Sequence, residues 1–351
     1  MTGVKPGYVR PLDLKRGRID MGHGAGGRAT AQLVSELFAQ AFANDFLARG
    51  DDGAVLPAPA PGEQLVVATD AHVVSPLFFP GGDIGCLSVH GTINDLAVMG
   101  ARPLYLSAAF ILEEGLALDT LARIVASMAE AARAAGVPVV TGDTKVVEQG
   151  KGDGVFITTT GVGALPAGRA LGGANARAGD ALLLSGSIGD HGMAIMAQRE
   201  SLAFDAEIVS DTAALHELVE AVLTAVPAVR VLRDPTRGGL ATTLNEIATQ
   251  SAVGMELDET AIPVRPQVAA ACELLGLDPL YVANEGKLVV VCPPEDAARA
   301  LAALRAHPLG RDAAHIGTVT ADPHCFVQVR TGFGGRRMVD WLSGEQLPRI
   351  C

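Results

Sequence analysis

The strongest constraint on the fold is that strand and helix patterns alternate along the chain in two blocks, which a stretch poor in large apolar residues separates. That stretch, residues 163–179 (GALPAGRALGGANARAG), consists mostly of Gly, Ala and Arg. With 351 residues, 49% of them hydrophobic, the chain is long enough for two hydrophobic cores. The pattern therefore predicts two α/β domains, each with a mixed sheet.

Apolar spacing and terminal signals locate the individual elements. In the first block we predict helices over 29–48, 83–99 and 117–135, and strands over 64–69, 103–112, 137–140 and 155–161. In the second block we predict strands over 180–184, 287–292, 314–319 and 326–329, and helices over 192–199, 212–225, 239–250 and 294–306. Residues 331–351 carry Gly pairs and scattered charge, which predicts a flexible tail.

The composition excludes several classes of function. The net charge is −12 and the isoelectric point about 5.1, so the surface repels nucleic acid and anionic lipid, and only 4% of residues are aromatic. No apolar run approaches the ~18 residues of a membrane span, and the chain start lacks the apolar core of a secretory signal. No C-x-x-C pair occurs, which disfavours structural zinc. We expect a cytoplasmic protein that binds neither nucleic acid nor membranes.

Acidic residues recur where strands or turns are predicted to finish. They are Asp51, Asp52, Asp70, Asp95, Asp143 and, in a similar turn of the second block, Asp234. Loops at strand ends commonly hold ligands in α/β proteins, and Mg²⁺ prefers a few carboxylates together with phosphate oxygens. An isolated Asp before Gly or Thr more often caps a helix or makes a turn. As a set, these residues predict a magnesium site.

A glycine-rich loop precedes the first predicted helix. It comprises residues 22–27 (GHGAGG), and backbone N–H groups before a helix can bind phosphate. The spacing matches neither the Rossmann nor the P-loop motif, so the loop could equally be a flexible connector.

The chain ends on a cysteine, Cys351. An exposed thiol is prone to oxidation and can be accidental, or it can be a mobile carrier of a covalently bound group. The ten residues after Trp341 reach roughly 33–36 Å when extended, far enough to enter a neighbouring cleft. Arg349 would lower the pKa of the thiol, whereas the adjacent α-carboxylate would raise it.

Short motifs that follow one another in a fixed order add a family resemblance. They are HGAGG, DDGAV, TDAHVVSPLFFPGGDIG, GTINDLAVMGA, FILEEG, TGDTKVV, GDHG, RDPTRGGL, ANEGKLV, HPLG and the terminal PRIC. The chain resembles the hydrogenase maturation factors of the HypE family, carbamoyl dehydratases of the AIR synthase-like (PurM-like) superfamily. The resemblance implies an N-terminal extension 1–20, an ATP-binding domain 21–165, a second AIR synthase-like domain 176–330 and a flexible tail 331–351.

The resemblance also implies an activity and its partners. In the family, the carbamoyltransferase HypF transfers a carbamoyl group to the terminal cysteine, here Cys351. The enzyme then uses ATP to dehydrate the S-carboxamide to a thiocyanate, and the cyano group passes to iron held by the HypC–HypD complex. A homodimer built around a β-barrel from both N-terminal sheets is implied as well.

Matching of motifs assigns expected roles to individual residues. Cys351, Lys145 and Glu285 are the expected catalytic residues, with Glu285 as the base and Lys145 paired with it or orienting the amide. Lys145 could instead only anchor phosphate, and Glu285 could be a cap or an ion pair. The expected ATP-binding residues are Gly24, Gly26, Gly27, Asp52, Asp70, Asn94, Asp95 and Asp143, and the expected Mg²⁺ ligands are Asp51, Asp52, Asp70, Asp95, Asp143 and Asp234. His23, His90 and His191 lie in or near matched motifs and are expected to be secondary.

Two other functions stay open on the sequence. Another ATP-dependent enzyme of the superfamily, a small-molecule kinase or selenophosphate synthase, would not need a terminal thiol. A selenophosphate synthase would carry a reactive Cys near its start, and the first cysteine here is Cys86. A non-catalytic carrier would not need the acidic residues.

Overall fold

The computed structural model describes residues 11–200, 207–342 and 349–351. Its first sheet has the strand order β1-β6-β4-β5, in which β4 and β5 are parallel and the other neighbours are antiparallel. Its strands are β1 (Gln64–His72), β4 (Arg102–Glu113), β5 (Val139–Val147) and β6 (Val155–Leu165). Between β1 and β4, the short strands β2 (Phe78–Phe79) and β3 (Gly82–Asp83) form a separate two-stranded sheet.

The two faces of the first sheet differ in their surroundings, because successive side chains of a strand point to opposite sides. One face carries buried side chains and is packed by the helices α3 (Ile84–Val98) and α4 (Leu118–Ala134). The other face is open in this chain and exposes Leu65, Val67 and Ile111. Ahead of β1, the helices α1 (Arg28–Leu33) and α2 (Ala39–Ala41) join through a π-helical turn at Val34–Phe38.

The second sheet has the order β13-β12-β9-β11-β7-β10-β8. Its strands are β7 (Ala181–Leu184), β8 (Val231–Arg233), β9 (Gly254–Asp258), β10 (Val289–Cys292), β11 (Ala314–Thr320), β12 (Val327–Arg330) and β13 (Arg336–Met338). The accompanying helices are α5 (Asp190–Arg199), α6 (His216–Ala225), α7 (Gly239–Ser251), α8 (Pro266–Leu275) and α9 (Ala297–Ala306).

The central strands of this sheet are covered on both faces. In β7, Leu182 and Leu184 join a core with α7, whereas Ala181 and Leu183 join a second core with α6 and α9. An unbroken apolar run is what a strand buried on both faces requires.

The structure differs from the expected elements in informative places. Strand β5 does not end before Thr141 but runs on to Val147, and β1 continues past Thr69 to His72. Asp70 and Asp143 therefore lie within strands, and Asp95 lies within α3, so the idea that the acidic set follows strand ends is wrong for these three. The sequence analysis also missed β2, β3, β8, β9, β13 and α8.

The segments at either end make defined contacts where the structure describes them. Of the expected extension, residues 1–10 lie outside the described residues, while Ile19 is buried and its N–H donates to Leu116. Of the expected flexible tail, residues 336–338 pair as β13, residues 343–348 lie outside the described residues, and residues 349–351 contact the first domain. Among the described residues, no helix combines the length and apolarity needed to cross a membrane.

Candidate active site

Acidic side chains from both domains meet beside the terminal thiol. Asp70 comes from β1, Asp95 from α3, Asp234 from the loop after β8, and Glu285 from the loop before β10. Their charges act on one another, and those of Glu285 and Asp70 also act on Cys351. Segments far apart in the chain thus form one site.

Asp70 is held as a carboxylate by its neighbour two residues on. Both side chains lie on the helix-covered face of β1, and Nε2 of His72 is 3.1 Å from Oδ2 of Asp70. Burial opposes the charge of Asp70, but the hydrogen bond from His72 and its Coulomb attraction leave the pKa of Asp70 below its usual value. Gly91 of α3 makes room for this pair, since a Cβ there would lie 3.0 Å from each partner.

Asp95 and Asp234 repel each other across a cavity of about 480 Å³. Burial, and then the negative charges of Asp234 and Asp70, raises the pKa of Asp95 to about 7. Burial likewise raises the pKa of Asp234 to about 6. Arg233 and Arg237 also line the cavity, so it presents both signs of charge to a ligand.

Glu285 is buried, and its backbone is held in place by hydrogen bonds to Asp211, which lies in another loop. The Asp211 carboxylate accepts the N–H groups of Glu285 and Gly286 at 3.1 and 3.2 Å, and it also pairs with Lys287 at 3.0 Å. Gly286 permits this approach, because a Cβ there would overlap the carbonyl of Asp211.

The environment of Glu285 favours the protonated carboxyl. Burial, followed by the charge of Asp211 and those of the nearby aspartates, raises its pKa well above 4.5. Its Oε1 atom is buried and has no hydrogen-bond partner among the residues described. A carboxyl of this kind can take up and hold a proton at neutral pH.

Cys351 lies between this carboxyl and a guanidinium. Nη2 of Arg237 is 3.9 Å from the Cys351 sulfur. Burial and then the charge of Glu285 raise the pKa of the thiol to about 12, although Arg237 acts in the opposite direction. Gly239 lets the loop that carries Arg237 pack closely against the backbone at Leu280 and Val282, because a Cβ at residue 239 would overlap the carbonyls of both residues.

Asn94, expected to contact ATP, serves the loops of the site instead. Its side-chain N–H groups donate to the carbonyls of Ala213 and Glu285, at 3.0 and 3.2 Å, and its carbonyl accepts the N–H of Leu215. The side chain is buried and its amide is engaged on both ends, so in this conformation it positions Glu285 rather than facing a ligand.

The remaining expected residues form a separate group at the opposite edge of the first sheet. Asp51, Asp52 and Asp143 line a cleft of about 500 Å³, whose apolar walls include Phe38 and Phe42. The strand pairing places Gly142 in the same row as Asp70, three strands away, or about 14 Å at about 4.8 Å per strand. The expected metal ligands therefore divide into two groups.

Lys145 does not pair with Glu285 within this chain. Its Nζ lies 2.8 Å from Asp143, and both side chains are largely exposed. The register of β5 with β4 places Asp143 opposite Ala109 and Lys145 opposite Ile111, on the open face of the sheet. Glu285 lies beyond the covered face, so the expected Lys145–Glu285 pair does not form within the single chain, and the role of Lys145 stays a prediction.

The glycine loop and the motif histidines have mostly local contacts. Gly24 packs against Val146, whereas Gly26 and Gly27 have open space where a Cβ would be. Nδ1 of His23 accepts the N–H of Asp20, and Asp20 caps the turn Met21–Gly24 with which the loop begins. His90 is hydrogen-bonded to Thr212, and burial lowers its pKa to about 4.

Comparison with known proteins identifies the family. The N-terminal domain model of AIR synthase related proteins matches residues 50–165, and the C-terminal domain model matches residues 177–330. The chain is 72% identical to carbamoyl dehydratase HypE of Cupriavidus necator over 352 residues, covering 100% of both chains. The chain belongs to the HypE family of carbamoyl dehydratases. This confirms the resemblance drawn from the motifs and makes the chain an enzyme of hydrogenase maturation.

Solved HypE structures have the same fold. A crystal structure of hydrogenase maturation protein HypE in complex with ATP is 52% identical, with a TM-score of 0.90 over 94% of this chain and 99% of that chain. The HypE chain of a HypE–HypF complex is 48% identical, with a TM-score of 0.77 over 88% of this chain and 99% of that chain. The two-domain PurM-like fold is therefore confirmed.

Sequence analysis of this HypE family member missed residues that build the site. Arg237, His72 and Asp211 were not singled out, although the first two lie inside the motifs RDPTRGGL and TDAH. Their partners are set by tertiary contacts: the side chains of Arg237 and Cys351 meet although they are 114 positions apart. The presence of Arg and His in those motifs was the available signal.

Proposed function

We propose that this enzyme dehydrates a carbamoyl group carried on the Cys351 sulfur to a thiocyanate, with ATP as the phosphoryl donor and Glu285 as the base. The observation that carries the proposal is the position of the thiol, which touches Arg237 and lies in the field of the buried Glu285 carboxyl. A carbamoyl group on that sulfur would extend the chain into the acidic site.

The reaction requires a poor leaving group to be made a good one. The amide oxygen of the S-carboxamide attacks the γ-phosphorus of ATP and displaces ADP, so that the oxygen leaves later as phosphate. Loss of the amide protons, with cleavage of the carbon–oxygen bond, then gives the carbon–nitrogen triple bond. Glu285 is suited to accept a proton because its surroundings favour the protonated carboxyl.

Arg237 supports the same chemistry from the other side of the sulfur. Its guanidinium can donate to the carbamoyl oxygen or to phosphate oxygens, which gain negative charge during transfer. The pKa of Arg237 is raised, chiefly by Cys351, so the group is a permanent cation.

The cleft lined by Asp51, Asp52 and Asp143 is our candidate for the adenosine end of ATP. Its apolar wall suits a planar base. The Gly26 N–H already donates to the Thr30 hydroxyl at 3.0 Å, so Gly27, at the start of α1, is the residue of the loop that we propose donates to phosphate. A nucleotide is long enough to contact this cleft and the acidic site. The solved HypE–ATP complex supports ATP as the ligand.

Mg²⁺ fits the acidic site by the chemistry of its side chains. The charge of Asp234 adds to burial in raising the pKa of Asp95, and a bound cation would relieve that repulsion. No three acidic, His or Cys side chains converge on one point within the described ranges. Mg²⁺ bound together with phosphate needs only one or two carboxylates, so Asp95 and Asp234 would hold it, with Asp70 nearby. When bound, the ion neutralises charge on the transferred phosphoryl group.

The proposed partners follow from the two ends of the reaction. HypF would supply the carbamoyl group, as the HypE–HypF complex of a relative supports, and the HypC–HypD complex would receive the cyano group. The open face of the first sheet, with Leu65, Val67 and Ile111 exposed, would pair two copies as a homodimer. That pairing would also bury the Asp143–Lys145 pair.

Intact-mass analysis of the carbamoylated protein with and without Mg·ATP tests the proposed function. Loss of one water molecule at the C-terminal peptide, only with Mg·ATP, is the expected result. Phosphorylation of an added small molecule, with the carbamoyl group intact, would instead indicate a kinase. Transfer of the carbamoyl group without ATP consumption, unaffected by Asp95→Asn, would indicate a carrier.

A further inference from the structure

The last residues of the chain occupy a groove beside the segment that follows β1. The N–H of Val73 donates to the carbonyl of Cys351 at 3.0 Å, and the N–H of Ser75 donates to the carbonyl of Arg349 at 3.2 Å. The two segments thus run in opposite directions, although neither is a strand and Arg349 has a positive φ of 52°. Backbone pairing of this kind binds a peptide, while side-chain pockets select its sequence.

His191 binds the carbonyl between these two. Its Nε2 is 2.8 Å from the carbonyl oxygen of Ile350, and its Nδ1 is 2.7 Å from the hydroxyl of Ser210. A carbonyl can only accept, so Nε2 carries the hydrogen and Nδ1 accepts from Ser210. The Ser210 oxygen in turn accepts the N–H of Thr212 at 3.2 Å, and the Phe79 ring packs edge-on against the imidazole. Burial lowers the pKa of His191, which keeps the ring neutral.

Other contacts distinguish the residues of the segment. The Arg349 guanidinium pairs with Asp153 at 2.6 Å, and both are half-exposed. Ile350 is 4% exposed and packs in the core of the first domain. The Arg199 guanidinium bridges the carbonyls of Ser75 and Arg349, at 2.6 and 2.9 Å. The groove therefore offers a carboxylate, an apolar pocket and carbonyl-binding donors, one after another.

We propose that this groove selects an Arg-Ile-Cys segment through Asp153, the Ile350 pocket and Arg199, and that His191 is the positioning residue that fixes the Cys351 sulfur opposite Glu285. This rests on the proposed function for its catalytic meaning, but the groove can be tested without catalysis. Because His191 binds the residue next to the thiol, loss of this bond frees the last peptide unit to move away from Glu285 and Arg237.

The docked thiol and the reactive thiol are different states. Burial raises the pKa of the docked thiol to about 12, so the thiol reacts with electrophiles more slowly in the groove than after it leaves it. The rate at which iodoacetamide alkylates Cys351 in the unmodified full-length chain therefore reports the undocked fraction. Digestion and mass analysis of the C-terminal peptide separate Cys351 from the other cysteines.

Two pairs of variants test the groove on this measurement. His191→Leu removes the donor to Ile350, whereas His191→Gln keeps an N–H near the Nε2 position. We expect alkylation to rise about threefold to tenfold in His191→Leu and much less in His191→Gln, the range of one net hydrogen bond. Asp153→Arg and Arg349→Asp should each raise it about twofold to fivefold, and the double variant should restore the wild-type rate. Because Asp153 and Arg349 are exposed, their variants test the groove even where His191→Leu, at a buried position, fails to fold. Slow alkylation of the buried Cys272 and Cys292 shows that the fold of a variant is intact.

The outcomes separate the groove from the chemistry. Two results would overturn the proposed groove. One is that Cys351 of the native wild type is alkylated as fast as in urea. The other is that Cys351 is alkylated at the wild-type rate in both His191→Leu and Asp153→Arg. For positioning, single-turnover dehydration of the carbamoylated chain should fall in His191→Leu and recover in His191→Gln; an unchanged rate in His191→Leu would refute that role. If the alkylation rates change as expected but no variant and no wild-type protein loses water, the groove stands and the proposed function is refuted.

Discussion

Glu285→Gln separates catalysis from stability at this site. The carboxyl is buried, and burial followed by the charge of Asp211 raises its pKa well above 4.5. Glutamine has the same shape but cannot take up a proton from the carbamoyl nitrogen. A positioned base contributes about 10²–10⁴-fold to a rate, so dehydration of the carbamoyl group on Cys351 should slow by a factor in that range.

The same substitution should not cost stability at neutral pH. A carboxyl whose pKa is raised in the folded chain gives its full stabilisation only below its unfolded pKa, near 4.5, and loses it as the pH rises through the folded value. Glutamine does not titrate. The free energy of unfolding of Glu285→Gln should therefore fall less than that of the wild type between about pH 5 and pH 8.

The assay follows single-turnover water loss at the C-terminal peptide after addition of Mg·ATP, alongside urea unfolding at both pH values. Glu273→Gln is the matched control, because Glu273 is exposed on α8, away from the thiol, and should leave both measurements unchanged. A Glu285→Gln rate equal to that of the wild type would refute Glu285 as the base. If the free energy of unfolding of Glu285→Gln fell more than that of the wild type as the pH is raised, the inference that the Glu285 carboxyl is protonated in the folded chain would be refuted.

Other predictions address the rest of the site and the assembly. Arg237→Ala removes the donor to the Cys351 sulfur and should slow dehydration about 10²–10³-fold, as loss of one transition-state donor does, whereas unchanged single-turnover rates would argue against this contact. Asp95→Asn removes a carboxyl with a pKa of about 7. Since that pKa is raised in the folded chain, urea midpoints of the wild type should decline from about pH 4 to pH 8 more steeply than those of the variant, and parallel curves would contradict the repulsion. Val67→Lys introduces charge on the open sheet face and should convert a dimer to a monomer in sedimentation velocity, with equal masses of wild type and variant as the opposing result.

Local sequence patterns located most elements of the fold. Apolar spacing placed α3, α4 and the central strands within a few residues of their observed ends. The exceptions were the two- and three-residue strands β2, β3, β8 and β13, the five-residue strand β9, and α8, where the apolar residues leave only a narrow buried stripe. Short runs carry too little periodicity to be told from loops, so their pairing in the sheet defines them.

Sequence determined which residue types this enzyme has for its chemistry: the acidic residues, Glu285, the terminal thiol and the motifs that mark the HypE family. Only the tertiary structure decided which of them meet. The two-residue period of β5 turns Asp143 and Lys145 to the open face, while Asp70 and Asp95 lie on the covered side. The approach of the second domain then adds Asp234, Glu285 and Arg237, and burial sets their protonation. Spacing along a chain carries no information on such contacts, because they depend on how distant segments pack.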